Sequence, residues 1–524
     1  MKPITSFIVF TLLLPVLAAQ EPPRKPARDS YRPYIEAWGQ PTAPEDVRGQ
    51  YLKLTVSPAQ LPDPLLKYRL RVFSTEKESG NAVYLYTEAL AELNRIYHAK
   101  IDTMHRSEEF RNNNLSPGST EYQQTQFKAF PLYPYWGSDS YVEITAEEEA
   151  ILYASLSRVY ELLELASRKT YCDWGDTSEF KGIGTLLPHL QEMRTLGRYL
   201  SGKANWEIRN GNYEDAIQTI RIGLVLGQHV RDSKSFNTLV SGLVGLAIQG
   251  IMQASLHDLA SQPDAPNMYA ALTQLEFSVY SLLTPMEGER SWVLTRRPFT
   301  PNLYDTINKA SDEECRAVLC DLVDILSYDD IFQSDAVMFY QTESGRSVAL
   351  SFVCLFSYPF AKERLTQQGK TDEEIDAMST YKVVTPYVLE EIQRAYDLVQ
   401  VNAALPPGES RTAIQFDESF YYGDKSSPVK ILLALFLPAT QAARNAYLRT
   451  EQTLDRLKII EAIRLYAAMN DGRLPQALDD IKEVPVPKTD VMTGKPYNYR
   501  VEGNTASVDY MTSSGLSRME IVLQ

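Results

Sequence analysis

Asn210-Gly211-Asn212 stands between two long stretches of helical periodicity, and no other feature constrains the fold as much. His189 to Ile208 and Tyr213 to Val230 each read as one helix, while the three residues between them tolerate the left-handed backbone angles that end a helix. The expected unit is an antiparallel helical hairpin. Three Ser/Thr-x-x-Glu capping boxes, Thr145 with Glu148, Ser311 with Glu314 and Thr371 with Glu374, predict three further helix starts. After the first box Leu152, Leu156, Val159, Leu163 and Ala166 recur at steps of four and three, with Arg158, Glu161 and Arg168 off that stripe. Phe236 to Leu259 is apolar nearly all round, and Gly242, Gly245 and Gly250 permit close approach by a neighbour, so this helix is expected to be central. Further helices are expected over 81–100, 266–282, 311–327, 372–402 and 439–469.

Ala204 to Ala216, with a Gly turn followed by an aromatic and then Ala, resembles the turn between the two helices of a tetratricopeptide-type repeat, and Tyr84 to Ala89 is a weaker echo. No fixed period of 34 residues joins them. The fold class that follows is mainly α, a helical-repeat-like (tetratricopeptide-like) array or bundle, with a small C-terminal α+β module. That resemblance is too short to imply peptide binding in a repeat groove.

The C-terminal module begins on an amphipathic helix with Leu457, Ile460, Ile463 and Ala467 on one face. Asn470-Asp471-Gly472 stops it, and a short helical turn is expected around Leu478 and Ile481. A turn at Thr493-Gly494-Lys495-Pro496 feeds a strand, Gly503-Asn504 suits a hairpin, Thr505 to Tyr510 returns, and Met519 to Leu523 can pair with it. The order Asp-Gly-Arg-Leu-Pro, Leu-x-x-Ile, Asp and Gly-Lys-Pro-Tyr-x-Tyr over about residues 454–508 resembles the soluble part of type II secretion pseudopilins. Leu187-Pro188-His189 and Leu243-Val244-Gly245 likewise resemble segments of bacterial exported helical proteins of unknown function that carry such a module. The resemblance implies the fold of this piece and not filament assembly, because the pseudopilin processing site and long apolar N-terminal helix are missing. Asp490 alone, between Lys488 and Lys495, is a poor calcium site, since that ion takes six to eight oxygens.

Met1-Lys2, the apolar Ile4 to Val16 and the small residues Leu17-Ala18-Ala19 read as an export signal at 1–19, with an uncleaved anchor as the alternative. The expected destination is the periplasm or the exterior. The remaining plan is an extended segment at 20–80, a helical body at 81–402 with an aromatic-rich loop at 101–142, a linker at 403–428 and the C-terminal module at 429–524. Leu239 to Ala254 and Val348 to Phe360 read as core helices of a soluble protein rather than spans, which need about 20 predominantly apolar residues.

A net charge of −15 repels phosphate backbones and anionic lipid headgroups, which argues against a nucleic-acid partner. Cys172, Cys315, Cys320 and Cys354 allow a disulfide in an exported chain without requiring one. Neither HExxH, Gly-x-Ser-x-Gly, a P-loop nor a dinucleotide fingerprint occurs. His189 with Glu192 and Asp102 with His105 have a metal-like spacing but lack the repeated Glu and Glu-x-x-His set of a di-metal bundle, so no metal or cofactor is expected. Asp329-Asp330 and Glu390-Glu391 diverge on a helix and read as solvated faces or caps. In the aromatic run Phe127 to Tyr141, Tyr133, Tyr135 and Trp136 are the candidate binding residues, through stacking on sugars or proline-rich peptides, against the simpler role of pinning a loop. The leading expectation is a non-catalytic exported scaffold with a protein partner in the envelope. A glycan-directed envelope hydrolase with acids on separate helices and a secretion-apparatus component are the alternatives.

Overall fold

The computed structural model describes residues 43–44, 46–107, 125, 145–174, 188–233, 238–275, 282–293, 307, 309–326, 342–404 and 428–524. In chain order the elements are β1 (Tyr51–Val56), β2 (Glu78–Asn81), α1 (Val83–Arg106), α2 (Ala146–Ser155), α3 (Ser157–Ser167), β3 (Lys169–Tyr171), α4 (Pro188–Arg209), α5 (Tyr213–Arg231) and α6 (Leu239–Ala260). There follow α7 (Tyr269–Leu272), α8 (Leu283–Val293), α9 (Asp312–Leu326), α10 (Glu343–Gln367), α11 (Asp372–Asp376), α12 (Thr380–Ala404) and α13 (Pro428–Met469). Five strands close the chain: β4 (Thr489–Asp490), β5 (Lys495–Pro496), β6 (Asn498–Glu502), β7 (Thr505–Thr512) and β8 (Gly515–Leu523). The protein is mainly α with a small C-terminal sheet module, as its periodicity predicts.

The hairpin α4–α5 forms as expected. Gly211 takes φ +74°, and its N–H donates to Ile208 O while that of Asn212 reaches Glu207 O, so the last carbonyls of α4 are satisfied within the turn. All three capping boxes are present. The stripe after Thr145 is fully buried, yet the helix breaks at Leu156, whose backbone (φ −102°, ψ 11°) leaves the helical region and divides α2 from α3. Periodicity survives a one-residue break of this kind, which is why the sequence pattern could not show it. The helix expected over 266–282 is a single turn, Tyr269–Leu272, in the part that is described, and 372–402 divides into α11 and α12.

Helix α6 carries a window of mean hydropathy 1.6, long and apolar enough to cross a membrane, and 61% of that window is buried. It packs against α4, α5 and α13, the position of a core helix. Gly245 makes the closest approach to main-chain atoms, for a Cβ there would lie 2.5 Å from Gly227 O of α5. Gly250 faces open space instead and serves no contact. The segment Val348 to Phe360 is only half a core helix: Ala349, Leu350, Val353 and Cys354 are buried, while Val348, Phe352 and Leu355 are exposed on the other face of α10.

The C-terminal sheet has the order β1-β8-β7-β6. Strand β1 lies parallel to β8, Tyr51 opposite Arg518 and Val56 opposite Leu523, and so adds a strand from the beginning of the described chain to a sheet otherwise built from its end. Leu54 and Val56 enter the same core as Ile460, Ile463, Val508 and Ile521. Asp471 and Gly472, both at positive φ, end α13 as the Asn-Asp-Gly signal predicts, and Leu478–Asp480 is the expected helical turn.

Candidate functional site

Three separated segments meet at an open cleft of about 390 Å³: Gln60 to Tyr68 after β1, the α4–α5 turn at Gly211 to Glu214, and the loop Asp264 to Asn267. Tyr213 donates its hydroxyl to Pro263 O at 2.9 Å, tying the hairpin turn to that loop. Lys67 reaches Glu214 at 3.1 Å and lies 5.0 Å from the Tyr68 ring centre, and hydrogen bonding to Tyr68 and then Glu214 holds its ammonium above the ordinary lysine range. Asp264 adopts φ +61°, a conformation uncommon for a side chain larger than hydrogen. Among the described residues the carboxylates of Asp63 and Asp264 have no hydrogen-bond or ion-pair partner, so two carboxylates without an ion-pair partner line the cleft together with Tyr68 and Tyr213. Leu65 and Leu66 are exposed alongside.

The floor of the cleft is held from below. Asn267 donates through Nδ2 to Ala59 O and Glu461 O, while its Oδ1 accepts from the N–H of Tyr269. Arg464, fully buried, donates to both carboxylate oxygens of Glu461, to Ser57 O and to Ala265 O. Burial raises the Glu461 pKa, with the Arg464 charge opposing it. Side chains of α13 thus fix the two loop backbones that form the cleft.

Tyr133, Tyr135 and Trp136 lie outside the described residues, as do Asp329, Asp330 and the signal segment. Among the described residues no group of three His, Cys, Asp or Glu is placed to hold a metal. His229 is a structural pin: Tyr86 bonds its Nδ1 at 2.8 Å and Lys169 O its Nε2 at 3.2 Å, with burial pushing its pKa down to about 4. Glu390 pairs with Arg364 and diverges from Glu391 as their spacing implies, but Glu391 is buried and is not the solvated face expected of it, because the inward side of α12 packs into the helical body. Asp490, 3% exposed, accepts from Gln452 Nε2, the N–H groups of Met492 and Met511, and Thr493 Oγ1; it organises the turn. No disulfide joins any of the four cysteines.

The turn at Gly211 was visible in the sequence, but Lys67, Tyr68 and Asp264 were not. The one signal available was Pro263-Asp264-Ala265-Pro266, a turn flanked by prolines. Comparison with protein-family models, with curated proteins and with solved structures finds no match for this chain.

Proposed function

We propose that the chain is an exported, non-catalytic helical scaffold of the bacterial envelope that holds a protein partner through a basic segment seated in the cleft at Gly211 to Glu214. The observation that carries this reading is the pair of unpartnered carboxylates, Asp63 and Asp264, in a cleft that Tyr68 and Tyr213 also line. Carboxylates attract a Lys or Arg side chain, and, with Lys67 already over the Tyr68 ring, the ring of Tyr213 is the one left to add cation–π attraction of about 0.5–1 kcal/mol at an exposed site. Leu65 and Leu66 offer apolar contact to the flanks of such a segment. Export rests on the N-terminal pattern, and the C-terminal resemblance is compatible with a place beside a secretion apparatus.

Fluorescence anisotropy of the full chain with a Lys- and Arg-bearing peptide and with an acidic peptide of equal length tests the reading. Salt-sensitive binding of the basic peptide, weakened several-fold by Asp63→Asn with Asp264→Asn, is expected. Equal affinity for both peptides, or indifference to the two substitutions, removes it.

The glycan-directed hydrolase keeps one argument of its own: Asp63, Glu214 and Asp264 stand in a cleft with tyrosines, and a glycosidase needs two carboxyls about 5–9.5 Å apart across the bond. All three are exposed and Glu214 is paired with Lys67, whereas a general acid relies on burial to retain its proton. Release of reducing ends from glycan fragments, lost in Glu214→Gln, is the result that replaces the binding reading with this one.

A further inference from the structure

The cleft at Gly211 to Glu214 is lined by three carboxylates, Asp63, Glu214 and Asp264, against one ammonium, Lys67. Lys67 is taken up by Glu214 and the Tyr68 ring, which leaves Asp63 and Asp264 as the charges that face a ligand. The whole chain carries −15, yet the stretch that follows the expected export signal has the opposite character. Between Pro22 and Tyr34 it holds Arg24, Lys25, Arg28 and Arg32 against the single acid Asp29, with Pro22, Pro23, Pro26 and Pro33 among them. Proline fixes φ near the polyproline value and has no N–H to satisfy, so a sequence of this kind extends at little cost in entropy. That is the form in which proline-bearing peptides dock on aromatic-lined grooves. Its charge and its shape both match an open, acidic cleft with a tyrosine on its wall.

The reach of the chain permits the match within one molecule. Residues 1–42 lie outside the described residues, and the chain that follows is anchored at the far end of β1, where Arg518, the residue opposite Tyr51, donates to Asp46 at 2.6 Å. From the near end of β1 only Ser57, Pro58 and Ala59 intervene before Gln60 on the cleft wall. Asp46 and Gln60 are 14 residues apart, at most about 46 Å at a strand rise of about 3.3 Å. Arg28 and Arg24 stand 18 and 22 residues before Asp46, which at about 3.1 Å per residue spans about 56 and 68 Å. Even the longest possible path from the anchor to the cleft is therefore shorter than the tether.

We propose that the chain's own segment Pro22 to Tyr34 occupies this cleft, its basic side chains on Asp63 and Asp264, and that an outside partner binds by displacing it. The inference rests on the reading of the cleft as a seat for a basic segment and adds its regulation. A tether of this kind gives an effective concentration of the order of 1 mM, so a segment with an intrinsic affinity of about 0.1 mM weakens an outside peptide about tenfold.

Fluorescence anisotropy of the full chain with a Lys- and Arg-bearing peptide reads the competition. Arg24→Gln, Lys25→Gln, Arg28→Gln and Arg32→Gln together should tighten peptide binding about tenfold, and the gain should vanish when Asp63→Asn and Asp264→Asn are also present. A gain of equal size in that Asn background is attraction by net charge alone and overturns the proposal. No gain from the four substitutions, while Asp63→Asn with Asp264→Asn still weakens the peptide, overturns self-occupancy and leaves the cleft reading standing. Peptide binding indifferent to the two Asp substitutions removes both. Zero-length carbodiimide coupling followed by peptide mass spectrometry gives a direct readout: Lys25 should join Asp63 or Asp264, at a yield that dilution does not change. A yield that falls on dilution assigns the contact to a second copy of the chain and overturns occupation within one molecule.

Discussion

Glu461 and Arg464, one helical turn apart on α13, form an ion pair at 2.9 Å with both side chains essentially inaccessible to water. Arg464 also takes the carbonyls of Ser57 and Ala265, so one guanidinium joins the segment after β1, the loop below the cleft and the C-terminal helix. Breaking a buried pair by removing one partner leaves a charge with nothing to balance it, which costs about 3–5 kcal/mol. Glu461→Gln should lower the unfolding free energy by that order in urea titration. Joint replacement with Arg464→Met should lose less than the two single changes summed, because neither charge then remains. Additivity of the two losses shows that the pair is not the unit that matters.

Asp455, half-buried on α13, supplies a pH dependence. Burial raises its pKa from 3.8 to about 7; Lys458 opposes, and Glu451 and Asp490 add to the rise. A carboxyl with a raised folded-state pKa binds its proton more tightly folded than unfolded, so stability falls as pH climbs from about 4 to 7 and levels off above. Asp455→Asn should therefore stabilise the protein at pH 8, by about 1–2 kcal/mol once partial exposure is allowed for, and lose that advantage toward pH 4. A benefit equal at both pH values places the effect elsewhere.

The contrast between local and distant information explains how much was readable. Capping boxes, the Gly211 turn and the α13 stop at Asp471-Gly472 depend on residues within a few positions, and each appears where its pattern stands. Strand β1 was not readable: Tyr51 to Val56 lies more than 450 residues from β8, and its alternation signals an extended segment without naming a partner. The cleft fails for the same reason, since Lys67, Glu214 and Asp264 share no local motif and meet only because Arg464 and Asn267 bind the loops together.

Gly245 and Gly250 look equivalent in sequence and differ in space. A Cβ at Gly245 meets Gly227 O at 2.5 Å and the Arg231 backbone nitrogen at 2.9 Å, both main-chain atoms that cannot swing aside, whereas one at Gly250 meets nothing within 4 Å. Gly245→Ala should destabilise by about 2–3 kcal/mol through overpacking, and Gly250→Ala should stabilise by about 0.5–1 kcal/mol through helix propensity. Equal effects of the two substitutions in thermal unfolding contradict the close crossing of α5 and α6.

Cysteine reactivity checks the core directly. Cys172 is buried with its thiol pushed up to about 12, and burial also raises Cys315 and Cys354. The thiolate is the reactive form, so iodoacetamide at pH 8 should leave these three unmodified in the folded chain and label them in denaturant. Their oxidation to disulfides in the isolated protein, seen by mass spectrometry without reduction, runs against the arrangement.

Asp264 separates stability from binding in the cleft. Its positive φ costs a non-glycine residue about 1 kcal/mol or more, while its carboxylate is exposed and without a partner among the described residues. Asp264→Gly relieves the backbone and deletes one of the two carboxylates without an ion-pair partner; glycine also gains freedom in the unfolded chain, so the net change in stability should stay within about 1 kcal/mol. Asp264→Ala keeps the strain and deletes the same charge. Both should weaken a basic peptide to a similar degree, with only the alanine variant less stable. If the glycine variant binds as the parent does, the carboxylate has no part in recognition, and the proposed use of the cleft loses the observation on which it stands.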